Sequence, residues 1–135
     1  MLEDSEIVVI DKPSGVVCNR ADTGESETLQ DWFAKRYNME IVESQTKFGE
    51  KEIDYTQYFK ERLGLVHRLD RETSGVMVMA KTPVAFESLL RQFKEHGVQK
   101  TYRALTHGFW NAREGQINLP IARRRDDRKK FGVRE

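Results

Sequence analysis

The stretch GLVHRLDRETSGVMVMAKT, residues 64–82, sets charge against apolar sequence more sharply than any other part of this chain. Five of the six residues from His67 to Glu72 are charged or ionisable. Thr73-Ser74-Gly75 then gives way to Val76-Met77-Val78-Met79-Ala80, with no charge before Lys81. Such a run predicts a strand over 75–81 that is apolar on both faces, and so a central one. If 66–70 is extended, side chains alternate, so Arg68 and Asp70 share one face while His67 and Leu69 share the other. An Arg two residues from an Asp favours the ionised carboxylate. Two readings stay open at this point: an ordinary charged surface turn, or a reactive carboxylate mounted at the rim of a sheet.

Working outward, Glu6 to Lys12 predicts a short buried strand closed by the turn residues Pro13-Ser14-Gly15. Leu29, Trp32, Phe33 and Tyr37 recur at helical spacing, with Ser26 or Thr28 as the cap. Residues 38–63 are polar and weakly patterned, with a short helix expected between Ile53 and Leu63. Thr82-Pro83 opens a helix with a cap followed by proline in its first turn. That helix carries Phe86, Leu89, Leu90 and Phe93 on one face and stops at Gly97. Residues 100–108 (KTYRALTHG) alternate like a strand, and residues 115–121 predict another. Mixed strands and helices of this order indicate an α+β domain, with a mainly antiparallel sheet and flanking helices. The basic stretch ending in Phe131-Gly132-Val133 looks like a connection into further structure, so the chain is expected to form part of a domain.

With 135 residues there is room for one domain, and 33% charged against 38% apolar residues describes a soluble chain. No apolar run approaches the roughly 18 residues of a membrane span. The start, Met1-Leu2-Glu3-Asp4-Ser5-Glu6, is acidic where a signal peptide is basic, so a cytoplasmic setting is expected. The single cysteine, Cys18, excludes an internal disulfide and a cysteine-based zinc site. His67, His96 and His107 lack metal-ligand spacing, so no metal is expected. The net charge of +1 hides an asymmetry: residues 1–60 carry 7 Lys/Arg against 13 Asp/Glu, and residues 61–135 carry 16 against 9. Six of the eight residues from Arg123 to Lys130 are cationic. Clustered cations fit a polyanion partner, and they equally fit a solvated charged tail.

Other chemistries fail on spacing. His67-Arg68-Leu69-Asp70 has an extra Leu relative to the kinase catalytic loop, with no Gly-rich loop before it and no Asp-Phe-Gly after it. A Ser hydrolase would need a Gly-x-Ser-x-Gly elbow, which is missing. Residues 67–75 (HRLDRETSG), followed by an apolar strand and Ala80-Lys81, instead closely resemble the signature of the RluA-type pseudouridine synthases. The opening Ile7 to Gly15 is similar to that family's first strand and Lys-Pro-x-Gly turn. Lys100-Thr101-Tyr102 resembles its Lys-x-Tyr motif. Gly115, Ile117, Pro120, Ile121 and the basic run resemble the segment that follows.

The resemblance implies a partial pseudouridine synthase catalytic domain over residues 1–135, with the C-terminal part of the fold missing. It implies isomerisation of uridine to pseudouridine in structured ribosomal or transfer RNA, without cofactor, metal or membrane. Asp70 would be the essential carboxylate, as nucleophile at C1′ or base at C2′, and Tyr102 the ring that stacks on uracil. Arg68 would enter the RNA and hold the flipped nucleotide. Arg71, Arg123, Arg128, Lys129 and Lys130 would contact phosphates. The family's Arg-Thr-His-Gln-Ile-Arg-like motif, which supplies the cationic partner of the Asp, does not occur in this sequence. A non-catalytic RNA-binding remnant is the alternative expectation, and a structural fragment without an RNA role is a third.

Overall fold

A computed structural model describes residues 1–20, 27–42, 53–109, 111–125, 127 and 130–133. They form two compact units, Met1–Lys100 and Thr101–Glu135. The first unit runs β1 (Leu2–Glu3), β2 (Ile7–Lys12), α1 (Leu29–Tyr37), α2 (Tyr55–Arg62), β3 (Gly75–Ala80) and α3 (Pro83–Lys94). Its sheet has the order β1-β2-β3 with antiparallel pairing throughout, so the α+β class expected from the sequence holds.

Alternation along β2 buries Val8, Ile10 and Lys12. The register sets Val8 opposite Met79, Ile10 opposite Met77 and Lys12 opposite Gly75. Directly opposed residues share a face, so Val8, Ile10, Met77 and Met79 form one apolar surface. Leu29, Phe33 and Ala34 of α1 pack on it together with Leu63 and Leu65. On the other face Val78 and Ala80 meet Phe86 of α3 and Tyr58 and Phe59 of α2. The Tyr58 and Phe59 rings approach Phe86 edge-on at 5.5 and 5.7 Å, a favoured aromatic geometry.

This arrangement corrects one expectation. The strand over residues 75–80 is not central: β2 holds that place, and β3 lies at the edge. Both faces of β3 are apolar because a core cluster covers each side, not because strands flank it. Along its outer edge Leu65 bridges Met79, the Ala80 N–H donates to Gly64 O at 2.9 Å, and the Val78 N–H donates to His67 Nε2 at 3.1 Å.

Two helices, α1 and α3, start where the sequence places their caps, and the structure adds a cap for α2. Thr28 and Asp31 form a reciprocal capping box on α1, and Ser26 lies outside the described residues. Asp54 accepts from Thr56 N and Gln57 N at the start of α2. Thr82 accepts from Ala85 N on α3, with Pro83 in the first turn. The second helix ends in two successive left-handed residues, Leu63 (φ 48°) and Gly64 (φ 72°). That reversal turns the chain from α2 toward β3.

A charged cluster joins β1, α1 and the end of β3. Glu3 accepts from Arg36 at 2.8 Å, from Lys81 at 2.9 Å and from Tyr37 OH at 3.0 Å. These three donors, led by Arg36, hold the Glu3 carboxyl down to about 2 from an ordinary 4.5. A depressed carboxylate contributes stability that is complete above its unfolded value and is lost as pH falls through the folded one. Acid unfolding should therefore gain a component between pH 4.5 and about 2. Thermal melts across that window should show a flatter acid limb for Glu3→Gln than for the parent chain.

The second unit contains a hairpin of β4 (Ile121–Arg123) and β5 (Phe131–Val133), in register Ile121 to Val133 and Arg123 to Phe131. The described residues of the basic run, Arg123 to Arg125, Asp127 and Lys130, lie in or between these two strands. The hairpin's closure is local: Arg124 N donates to Lys130 O at 2.9 Å and Lys130 N to Asp127 O at 3.0 Å. The expected strands over 100–108 and 115–121 do not form; only Ile121 is in a strand. Alternation is a statement about side chains, whereas a strand needs a partner for its backbone. Among the described residues none pairs with residues 101–109. Among the described residues no helix is long and apolar enough to cross a membrane.

Candidate active site

Residues 66–74 join the Leu65 bridge to β3 without regular secondary structure of their own. The expected alternation of faces is nevertheless present. Val66 is buried, His67 and Leu69 are half-buried, and Arg68 and Asp70 are exposed. Leu69 packs against the α1-side core. The expected Arg68–Asp70 electrostatic pairing does not form an ion pair. Among the described residues the Asp70 carboxylate has no hydrogen-bond or ion-pair partner.

The backbone beneath Asp70 is the opposite case, because every carbonyl from Leu69 to Glu72 is taken. Leu69 O accepts from Cys18 Sγ at 3.2 Å. Asp70 O accepts from Thr73 N at 3.1 Å. Arg71 O accepts twice, from Gly15 N at 2.8 Å and from Lys12 Nζ at 3.1 Å. Glu72 O accepts from Ser14 Oγ at 2.9 Å. In return Arg71 Nε donates to Gly15 O at 3.2 Å. One segment, Lys12 to Cys18, therefore clamps the loop while leaving the Asp70 side chain unengaged. A fixed backbone under a free carboxylate is the arrangement that positions a reacting group.

Lys12, Ser14, Gly15 and Cys18 were legible as a strand end, a turn and a lone cysteine, but not as parts of this site. The missed signal is in the alternation itself, since Lys12 follows Val8 and Ile10 on the core face. An apolar groove of about 500 Å³ lies beside this segment, lined by Ile10, Pro13, Val16, Leu29 and Trp32 among others. None of its lining comes from residues 67–72.

His67 anchors the other end of the loop. Its ring stacks on Phe93 at 4.5 Å and 18°, and its Nε2 accepts from Val78 N at 3.1 Å. Accepting there requires the neutral ring with its proton on Nδ1. Burial, and secondarily the Lys100 ammonium, push the His67 pKa below its usual 6.5. A buried neutral histidine leaves the unfolded chain with more protons, so stability is complete above about 6.5 and falls as pH drops below it. Melting temperatures between pH 7.5 and 5 should fall more steeply for the parent than for His67→Gln, whose amide oxygen accepts without titrating.

Of the remaining expected site residues, Arg71 lies in the first unit and the others in the second. Tyr102 is 64% exposed. The Arg123 guanidinium sits 4.9 Å over the Phe131 ring, and Lys130 Nζ is 3.6 Å from Asp127 Oδ2. Arg128 and Lys129 lie outside the described residues. Arg71 keeps its terminal guanidinium nitrogens for other partners while its Nε is committed to Gly15 O. Among the described residues no three His, Cys, Asp or Glu side chains gather as a metal site requires.

Known proteins share this sequence along nearly its whole length. An RNA pseudouridine synthase of Aquifex aeolicus, itself uncharacterized, is 40% identical over 133 residues, covering 98% of this chain and 38% of the relative. Ribosomal large subunit pseudouridine synthase D of Borreliella burgdorferi is 33% identical over 97% of this chain and 36% of its own length. Ribosomal large subunit pseudouridine synthase C of Buchnera aphidicola is 32% identical over 90% of this chain and 32% of its own. The chain thus spans about a third of the length of the curated relatives it matches. A family model described as RNA pseudouridylate synthase matches residues 6–135, from the strand that carries Lys12 through the loop of Asp70 to the basic hairpin. The motif resemblance holds, and the chain belongs to the RNA pseudouridylate synthase family.

Proposed function

We propose that this chain carries the reacting carboxylate of an RNA pseudouridine synthase acting on ribosomal or transfer RNA. The observation that carries this reading is the unpartnered, exposed Asp70 on a loop whose four carbonyls are all bonded. In the reaction the C1′–N1 bond of a uridine breaks, the uracil rotates, and a C1′–C5 bond forms. The C5 proton is lost and N1 gains one, so the change is an isomerisation without redox chemistry. Asp70 either attacks C1′ or removes a proton from C2′. A free carboxylate serves both, since an anion supports an electron-poor sugar carbon as in retaining glycosidases.

To reach Asp70 the target nucleotide leaves its stack, at a cost of roughly a few kcal/mol. In this reading Arg68 holds the flipped nucleotide, and its exposure on the side of the loop that carries Asp70 supports that role. Arg71, Arg123, Arg128, Lys129 and Lys130 supply phosphate contacts that position without reading sequence. Tyr102 stacks on the uracil. Residues 1–135 then act as part of a catalytic domain, the cationic partner of Asp70 being supplied from outside this sequence, and a cytoplasmic setting fits the substrate.

Tritium release from RNA labelled at uridine C5 tests the reading directly. Release by this chain, scaling with its concentration, supports it. RNA binding without release at high enzyme concentration sinks catalysis by this chain alone. That outcome favours the second reading, a non-catalytic RNA-binding remnant, which the cationic hairpin and the one-third coverage of relatives also fit.

A further inference from the structure

We infer that one face of the β4–β5 hairpin is a stacking platform for an unpaired nucleotide of the RNA, built on Phe131 and Arg123. The inference rests on the RNA-binding reading given above and adds a base contact to its phosphate contacts. In the hairpin register Ile121 stands opposite Val133, Ala122 opposite Gly132 and Arg123 opposite Phe131. Alternation therefore puts Ile121, Arg123, Phe131 and Val133 on one face, and Ala122 and Gly132 on the other. The two faces differ in cover. A Cβ on Gly132 would come within 3.3 Å of Arg124 Cγ, so the small-residue face lies under the aliphatic stem of an arginine. On the large-residue face Ile121 is 71%, Phe131 61% and Val133 56% exposed.

An aromatic ring between two aliphatic side chains gains little by facing water. The charge around this face indicates what it meets. Arg123, Arg124, Arg125 and Lys130 are exposed, and six of the eight residues from Arg123 to Lys130 are cationic. Such a rim suits a polyanion, whereas the core of a protein interface is depleted in charge. Among polyanions, nucleic acid carries flat rings on the same backbone as its phosphates. The Arg123 guanidinium lies over the Phe131 ring at 4.9 Å, which holds the ring in place and leaves its other face for a base. Aromatic and guanidinium planes together form the usual platform for single-stranded nucleic acid, with Ile121 and Val133 beside it as apolar contacts. A guanidinium that stacks through its plane donates through its rim, so the stack is compatible with a phosphate contact from Arg123. Stacking reads no hydrogen-bond pattern, so the platform takes an unpaired nucleotide of any base and rejects a paired one.

Fluorescence anisotropy with the full chain and a short RNA of cytidines only tests the platform, because no base of that strand is a substrate. The parent should bind it about 5-fold or more tighter than the same strand with abasic sites, whose charge is equal. Phe131→Leu keeps the face apolar and should erase that preference without changing the salt dependence, and Phe131→Tyr should retain it. Lys130→Gln should do the reverse, lowering the salt slope by about 1 while the preference stays. Equal affinity of the parent for the two strands overturns the platform, and this comparison needs no variant to fold. A preference that survives Phe131→Leu overturns its assignment to this face. A variant that changes the sedimentation of the chain but not its RNA binding makes the face a protein interface, which also overturns it. Base preference without tritium release would remove the catalytic reading alone. Salt-dependent binding without base preference would remove the stack alone.

Discussion

Replacing Gly64 with alanine will destabilise the first unit more than a methyl group added at any other glycine of the loop and turn segments. Gly64 sits at φ +72°, where an L side chain is strained, and it packs without clearance. A Cβ built there collides with the carbonyl oxygen of Ala80 and comes within 3.0 Å of the Phe33 ring. The Ala80 oxygen is backbone and cannot rotate away, because Ala80 N is itself bonded to Gly64 O at 2.9 Å. Left-handed strain costs about 1–3 kcal/mol and overpacking about as much again. Together they should remove about 3–5 kcal/mol, a fall in Tm on the order of 15–30 °C for a unit of this size. Gly15→Ala and Gly75→Ala provide the contrast. Both also have positive φ, but an added Cβ meets nothing within 4 Å, so each should lose only the strain. Equal losses at all three positions would mean that the close approach of Gly64 to β3 does not matter.

Asp70→Asn, in contrast, should abolish turnover and leave the fold untouched. The substitution keeps size and shape while removing the charge. Because the Asp70 carboxylate has no partner among the described residues and is exposed, its loss should change stability by less than about 0.5 kcal/mol. A carboxylate that attacks or takes a proton should instead cost at least about 10³-fold in tritium release when neutralised. RNA affinity should not fall, since an anion is being removed from a polyanion's path. The pattern to look for is unchanged Tm, unchanged or tighter RNA binding, and lost release. Retained release would exclude Asp70 as the reacting group. A large fall in Tm would assign the aspartate a structural role that its geometry does not show.

These two sites differ in how far the sequence announced them. Asp70 stood out through its setting, a charged run against an apolar strand, and through a motif continuous in the chain. Gly64 did not stand out, and Lys12 stood out as part of a motif but not through its contacts, because those depend on residues far away in sequence: Ala80 and Phe33 for the glycine, Arg71 for the lysine. Cys18 is a similar case, a lone thiol whose bond to Leu69 O spans 51 residues.

Local chemistry was enough for the elements that are locally stabilised. The caps at Thr28 and Thr82-Pro83, the turn after Lys12 and the amphipathic row of α3 all depend on neighbours within about one turn of chain, and they form where the sequence puts them. Strand pairing was beyond its reach, because a ladder is a contact between distant segments. Hence, among the described residues, β3 lies at the edge with a core on each face, residues 101–109 alternate without becoming a strand, and Ile121–Arg123 pairs with Phe131–Val133. The sequence by itself determined which carboxylate to watch and which family to expect. Only the tertiary structure decided what holds that carboxylate in place, since the clamp is made of hydrogen bonds between two segments more than fifty residues apart.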